Sequence, residues 1–275
     1  MSGIADFFAL GDDELFARAQ ALGKAKPHIT CSPNIVVGSC SCEPGCRHCK
    51  WEYLKTQDRG FTRKRTQAEM VERTKVLMAA GITRIFLAAG WMGYEAPDYF
   101  YDYVSLVKET SGLEVYGLFG ALGKTSLAGL KQAGMDGILC GLESPNERVY
   151  RRFRPGGDSL QDRLNCLRWG SELSLKLWSG FLCGLGESKA DCRKGIEMLS
   201  GLGLDSVSIL PFIPVPNTEL WRENAANPWQ WARTVAVAGL AMPGANIFSD
   251  QTEGLYRGYS QLSGANGFYV FPGKG

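Results

Sequence analysis

Short β-rich runs alternate with amphipathic, helix-like patterns along most of the chain. The spacing of the apolar residues separates the two kinds of segment, with a period near two for strands and near 3.6 for helices. The predicted strands are residues 35–38, 84–89, 114–119, 137–142, 175–183, 206–212, 246–249 and 268–271. The predicted helices are residues 11–22, 66–80, 99–110, 125–133, 160–171, 189–202, 228–240 and 252–263.

The order of these elements predicts the fold class. Eight strands with helices between them fit an α/β fold of the (β/α)8 TIM-barrel type better than an open doubly wound sheet. We expect the barrel to lack the helix after its last strand and to follow an N-terminal helix that begins with acidic residues. The expected domains are a helical extension over residues 1–30 and a barrel over residues 31–275. An incomplete six-stranded barrel with a small C-terminal appendage is the alternative.

Composition and charge exclude several classes of protein. A hydrophobic fraction of 45% and a charged fraction of 21% exclude disordered and fibrous chains. The formal net charge of +2 is too small to attract nucleic acid or a membrane surface strongly. The acidic N-terminus does not resemble a targeting peptide, and the longest apolar stretch, residues 234–248, is too short to span a bilayer. We therefore expect a cytoplasmic protein without nucleic-acid or membrane partners.

Four of the nine cysteines lie within ten residues, directly after the first predicted strand. Cys42, Cys46 and Cys49 have the spacing C-x3-C-x2-C, and three thiolates in one short loop can hold three irons of a [4Fe–4S] cube while the fourth iron stays free. Cys40 is the alternative first ligand, with the spacing C-x5-C-x2-C. We favour Cys42 because its loop is shorter. A zinc site completed by His48 is a second alternative.

This cysteine motif after the first strand of a barrel resembles the radical S-adenosylmethionine (SAM) superfamily. The resemblance extends over nearly the whole chain and is closest to the branch that holds biotin synthase, methylornithine synthase and the [FeFe]-hydrogenase maturase. Further segments match that branch in order, and all but the third, which lies in a helix, lie where predicted strands end: residues 88–91, 141–144, 162–164, 183–187 and 211–218.

The resemblance implies an enzyme that uses a [4Fe–4S] cluster and SAM. An electron from the reduced cluster would cleave SAM to methionine and a 5′-deoxyadenosyl radical, which abstracts hydrogen from a small organic substrate. Gly90 would approach the methionine end, Glu143 would bind the ammonium or ribose groups, and Arg163 would pair with the SAM carboxylate. The other implied SAM contacts are Ala89, Trp91, Gly184, Ile213 and Pro214. The basic run of Arg59, Arg63, Lys64 and Arg65 is a candidate docking surface for an electron donor such as flavodoxin or ferredoxin.

The chain also departs from biotin synthase, which carries a second, [2Fe–2S] cluster inside its barrel. The positions that correspond by motif hold Phe86, Tyr116 and Trp178, and none offers a thiolate. This argues against sulfur insertion of the biotin synthase type and for an aromatic interior suited to a flat organic substrate. The further interior candidates are Trp91, Phe119 and Phe212.

The specific reaction has several candidates. The Cys40-first spacing resembles a radical SAM protein associated with the iron-guanylylpyridinol cofactor of [Fe]-hydrogenase, so cofactor biosynthesis is the favoured hypothesis. The alternatives are a metallocofactor maturase or assembly scaffold, a carbon-skeleton mutase like methylornithine synthase, and a zinc-stabilised barrel that binds a small ligand.

Overall fold

The computed structural model describes residues 3–27, 29–31, 35–49, 64–249 and 255–269. The described strands are β1 (Ile29–Cys31), β2 (Ile35–Val36), β3 (Arg84–Ala88), β4 (Glu114–Leu118), β5 (Gly137–Leu139), β6 (Lys176–Cys183), β7 (Ser206–Pro211), β8 (Asn246–Phe248) and β9 (Gly267–Tyr269). The described helices are α1 (Ile4–Ala9), α2 (Asp12–Lys24), α3 (Gln67–Ala79), α4 (Asp98–Ser111), α5 (Lys124–Gln132), α6 (Glu147–Phe153), α7 (Leu160–Glu172), α8 (Lys189–Ser200), α9 (Pro228–Ala241) and α10 (Leu255–Leu262).

The strands form one parallel sheet that closes on itself. Its order is β1-β9-β8-β7-β6-β5-β4-β3-β2, and β1 also pairs with β3 at Cys31 and Arg84. Because β1 and β2 both lie along β3, they occupy a single strand position between β3 and β9. The sheet therefore has eight strand positions with helices on its outer side, which confirms the predicted TIM-type barrel.

The predicted elements agree with the observed ones to within a few residues. The pattern missed β1, α1 and α6, which are short segments of three, six and seven residues. Such lengths give too few repeats for a periodicity to show. The ends of two predictions, residues 252–254 and 270–271, lie outside the described residues.

The N-terminal helices pack against α9 on the outside of the barrel. Leu15 and Phe16 of α2 are buried, and the Phe16 ring meets Trp229 edge-on at 5.2 Å. Asp12 accepts a hydrogen bond from the Trp229 indole at 3.1 Å and pairs with Arg233. Of the helices that the structure describes, none has both the length and the apolar character needed to cross a membrane.

Large aromatic side chains fill the lower part of the barrel interior. Phe86, Tyr116, Trp178 and Phe248 are fully buried and form one cluster with Cys31. The Phe86 ring lies 5.1 Å from that of Trp178 and 5.4 Å from that of Tyr116. The prediction that Phe86, Tyr116 and Trp178 form an aromatic interior is therefore confirmed.

Phe119 is a correction to the predicted interior. It stacks on Phe100 of α4 at 4.4 Å and belongs to the core between sheet and helices. Its position just after β4 places its side chain on the opposite face from Tyr116, since side chains alternate along a strand.

Removing the Trp178 side chain is expected to destabilise the protein strongly. Trp178 packs against three aromatic rings, and its indole donates to the Ser208 hydroxyl at 2.7 Å. Trp178→Ala should lower the free energy of unfolding by about 3–5 kcal/mol. Trp221→Ala, at a position 50% exposed, should change it by less than about 0.5 kcal/mol. Urea unfolding followed by circular dichroism measures both, and equal losses would contradict the packing argument.

Candidate functional site

The cysteine loop lies at the barrel mouth, where the carboxyl ends of the strands meet. It runs beside the segment after β3: the Gly90 N–H donates to the Ser39 carbonyl at 2.8 Å, and the Ser41 N–H donates to the Trp91 carbonyl at 2.7 Å. Cys40 packs directly on Gly90, where a Cβ atom would stand 2.7 Å from the Cys40 sulfur. Gly90 is thus needed for the close approach of the two segments.

Two of the three predicted cluster ligands share one guanidinium group. Cys42 and Cys46 are buried, and Arg154 places Nη1 3.1 Å from the Cys46 Sγ and Nη2 3.7 Å from the Cys42 Sγ. The Cys49 N–H donates to the Cys46 carbonyl at 3.1 Å, which keeps the third thiol in the same turn. A positive group at this position balances the negative charge of thiolates.

A glycine pair closes the loop from the other side. A Cβ at Gly156 would stand 2.5 Å from the Glu43 and Pro44 carbonyl oxygens, and one at Gly157 would stand 2.6 Å from the Cys42 Sγ. The segment that carries Arg154 therefore packs across the cysteine loop with no room for side chains.

The donor set fits an iron–sulfur cluster. Three cysteine thiols in one loop are the ligands that such clusters take in proteins, and each can bind a different iron of a cube. His48, the alternative fourth zinc ligand, is buried beside the loop, and within the described residues its Nδ1 atom has no hydrogen-bond partner.

A buried carboxylate connects the cysteine loop to the rest of the mouth. Asp158 accepts a hydrogen bond from the Ala121 N–H at 2.8 Å and pairs with Arg154. Its other partner is Arg163, whose Nε lies 3.0 Å from Oδ2. Burial acts to raise the pKa of Asp158, but the two guanidinium groups outweigh it and hold that pKa below its usual value. Asp158 is therefore ionised at neutral pH.

Glu143 lies four residues after the end of β5 and occupies a left-handed backbone conformation, with φ of 59°. Its Oε1 accepts from Arg163 Nη1 at 2.8 Å, and its Oε2 lies 3.9 Å from His48 Nε2. Burial acts to raise the pKa of Glu143, but Arg163 and Arg154 hold it below its usual value. Burial lowers the pKa of His48, so the imidazole is neutral at pH 7. A strained non-glycine residue at a strand end is a frequent mark of a functional site.

The structure brings most of the predicted SAM-contacting residues to this mouth. Trp91 donates from its indole to the Ala121 carbonyl at 3.2 Å, and its ring faces the Gly157 backbone beside Cys42. Ala89 is buried, and its N–H donates to the Leu118 carbonyl at 2.9 Å. Arg163 is also at the mouth, but it is buried and paired with Asp158 and Glu143.

The remaining predicted contacts lie on other parts of the rim. Gly184 has φ of 100° and packs against Ala226, whose Cβ would stand 2.6 Å from a Cβ at this position. Ile213 is 38% exposed, and Pro214 is half-buried. The role of these three residues toward SAM stays a prediction.

Arg154, Gly157 and Asp158 also belong to this site, and they are not among the residues predicted from the sequence. The only local signal is an Arg and an Asp four residues apart around a Pro-Gly-Gly turn. Of the predicted basic run, Arg59 and Arg63 lie outside the described residues. Lys64 lies 4.6 Å over the Tyr99 ring, and Arg65 Nε donates to the Val36 carbonyl at 2.8 Å.

The charge of Asp158 is tested by the pH dependence of the free energy of unfolding of a variant without it. Asp158→Asn leaves Arg154 and Arg163 buried without this counter-charge and should lower the free energy of unfolding by about 3–5 kcal/mol at pH 7. Because the folded pKa is depressed, this stability is present above the unfolded value of about 3.9 and is lost as pH falls through the folded value. The difference between variant and wild type should therefore shrink below about pH 4. The control is Asp98→Asn, at an exposed position. If the stability difference between Asp158→Asn and wild type did not change with pH, Asp158 would not be the ionised partner of the two arginines.

Comparison with known proteins agrees with this geometry. The sequence profile of the Radical SAM superfamily matches residues 36–199. The [FeFe] hydrogenase maturase subunit HydE of Thermotoga maritima is 31% identical over 215 residues, which are 78% of this chain and 60% of that protein. The biotin synthase of Paramagnetospirillum magneticum is 28% identical over 245 residues, 86% of this chain and 74% of that protein. The chain thus spans less than two thirds of the maturase subunit.

The fold is also found among solved structures. The crystal structure of methylornithine synthase (PylB) superposes with a TM-score of 0.81 at 20% identity and covers 99% of this chain and 82% of that one. That similarity supports the barrel, and the profile match extends over more than half of the chain, including the cysteine loop, Glu143 and Arg163. The chain therefore belongs to the radical SAM superfamily.

Proposed function

We propose that this enzyme holds a [4Fe–4S] cluster with Cys42, Cys46 and Cys49 and uses it to cleave SAM and abstract hydrogen from a small organic substrate. Superfamily membership implies an iron–sulfur cluster and SAM. The observation that carries the assignment is the contact of the Cys42 and Cys46 thiols with one Arg154 guanidinium at the barrel mouth. When bound, the cluster and SAM supply the electron and the 5′-deoxyadenosyl radical, and the barrel supplies binding and exclusion of water.

The charge beside the loop favours Cys42 over Cys40 as the first ligand. The Arg154 guanidinium contacts the thiols of Cys42 and Cys46, and a positive group stabilises thiolates. Both candidate thiols pack on a glycine, Cys42 on Gly157 and Cys40 on Gly90, so packing does not distinguish them. The Cys42 N–H donates a hydrogen bond to the Cys40 Sγ at 3.5 Å, and this bond orients the start of the turn.

The carboxylate of Glu143 is suited to bind a cationic group of SAM. It is ionised and faces the mouth, and one oxygen is fixed by Arg163. Arg163 is itself buried between Asp158 and Glu143, which favours a role in orienting Glu143 over a direct pair with the SAM carboxylate. With either role for Arg163, the SAM site that we propose includes Glu143 and Arg163.

The side chains inside the barrel limit which substrates and reactions we propose. Phe86, Tyr116 and Trp178 fill the positions that would hold a second cluster, so sulfur insertion of the biotin synthase type is not proposed. The aromatic floor favours a small substrate with a flat ring. We place the reaction in cofactor biosynthesis, as supported by relatives named as a maturase subunit and a biotin synthase. The spacing with Cys40 is the feature that points to the iron-guanylylpyridinol cofactor, and the contact of Cys42 with Arg154 weighs against that spacing.

Two partners complete the proposal. Radical SAM enzymes act on small substrates and take electrons from a reductant. Flavodoxin or ferredoxin is the proposed electron donor.

The cluster assignment is tested by exchanging single cysteines. The protein is purified anaerobically, reconstituted with iron and sulfide, reduced with dithionite and given SAM. Wild type should hold about four irons per chain and release 5′-deoxyadenosine. Cys42→Ala should lose the cluster and the nucleoside, whereas Cys40→Ala and the buried control Cys166→Ala should keep both. The reverse result for Cys40 and Cys42 would reassign the first ligand, and a cluster without nucleoside release would favour an assembly scaffold.

The role of Glu143 is tested by SAM binding to the reconstituted protein. Glu143→Gln keeps the size of the side chain but removes the charge, and it should weaken SAM binding by about 10-fold, as the loss of one charge-assisted hydrogen bond predicts. Glu147→Gln, at an exposed position in α6, is the matched control. Isothermal titration measures both dissociation constants, and an unchanged value for Glu143→Gln would remove it from the site.

A further inference from the structure

A second group of metal-binding side chains lies away from the mouth cysteines. Cys183 ends β6, Glu187 lies in the loop that follows, and Cys192 lies in the first turn of α8. One ligand atom of each lies within 4.8 Å of the others. Two thiols and a carboxylate are ligands that zinc takes in proteins.

The group lies on the helix side of the sheet. Trp178 points into the barrel interior, and Cys183, five residues later on the same strand, therefore points to the opposite face. Cys183 and Cys192 are buried in the core between sheet and helices, whereas Cys42 and Cys46 line the mouth. The two sets of thiols are thus separate sites.

The loop between the two cysteines holds its carboxylate in a fixed position. Gly184 and Gly186 adopt φ values of 100° and 96°, which turn the chain back on itself. The Gly184 N–H donates to Glu187 Oε1 at 2.6 Å, and the Leu185 N–H donates to Oε2 at 2.8 Å. Each carboxylate oxygen has two lone pairs, so each retains one for a metal ion.

A cavity of about 590 Å³ opens onto this group. Its other walls come from the N-terminal helices and α9, including Phe8 and Trp229. Arg233 also lines the cavity, but its charge is paired with Asp12. The cavity gives an entry path and space for a fourth ligand, which packed core thiols would not need.

We propose that Cys183, Glu187 and Cys192 bind a zinc ion whose fourth coordination position faces this cavity and takes a water molecule or a ligand heteroatom. Binding replaces two S–H bonds by two S–Zn bonds and releases two protons to solvent, with no transfer of electrons. The ion joins the end of β6, the loop and α8. The site does not depend on the proposed radical chemistry.

Zinc binding is tested on the protein with its cluster loaded. One equivalent of zinc chloride is added anaerobically, the protein is desalted, and zinc and iron are counted by mass spectrometry. Wild type should retain about one zinc per chain with its iron unchanged. X-ray absorption at the zinc edge should show two sulfur and two lighter ligands near 2.3 and about 2.1 Å.

Three variants make the test specific. Cys192→Ser should weaken zinc binding by at least about 100-fold, and Glu187→Gln, which keeps both thiols, by about 10-fold. Cys166→Ser removes a buried thiol that contacts Cys140 and should bind zinc as wild type does. Circular dichroism checks that each variant is folded. Wild-type zinc retention by Cys192→Ser, a four-sulfur spectrum, loss of iron on zinc addition, or a wild type that retains no zinc would each overturn the proposal.

Discussion

The carboxylate of Asp158 compensates two buried guanidinium groups, and both of those arginines hold other parts of the mouth in place. Arg154 reaches the thiols of Cys42 and Cys46, while Arg163 reaches Glu143. A buried arginine without a counter-charge is costly, so the positions of the cysteine loop and of Glu143 both depend on this one acid. The backbone supports the arrangement, because Asp158 is itself fixed by the Ala121 N–H after β4. The proposed cofactor ligands, which come from separate strand ends, are thereby linked through a single ion network.

The aromatic side chains inside the barrel limit the reactions that the proposed site at the mouth can carry out. Tyr116 and Trp178 take up volume that metal ligands and sulfur would need, and the remaining interior thiol, Cys31, is buried among them. Burial raises the pKa of Cys31 to about 12, so its thiol is protonated at neutral pH and packs as an apolar group among the rings. In the proposed reaction, the space left for a substrate is therefore the mouth above these aromatic rings.

Much of this arrangement can be predicted from the sequence, because a barrel repeats the same strand and helix patterns along the chain. Strand and helix patterns of ordinary length located eight strand positions, and the rule that strand ends meet at one mouth placed Gly90 and Glu143 near the cysteines. The same reasoning missed Arg154 and Asp158, since a pair four residues apart is also the spacing of an ordinary exposed salt bridge. It also placed Phe119 in the interior, although Phe119 lies three residues after the interior residue Tyr116 and strand alternation turns its side chain to the opposite face.

The nine cysteines occupy environments that burial and neighbours distinguish better than spacing does. Those of the mouth lie next to a cation and glycine backbone, and Cys31 lies among aromatic rings. Cys140 and Cys166 contact each other in the outer core, and no carboxylate within the described residues completes them as a metal-ligand set. Cys183 and Cys192 differ from that pair in having Glu187 and an open cavity beside them. A thiol that only fills space in the core needs neither a neighbouring carboxylate nor a cavity that opens onto it. The presence of both distinguishes the proposed zinc ligands from cysteines of the core.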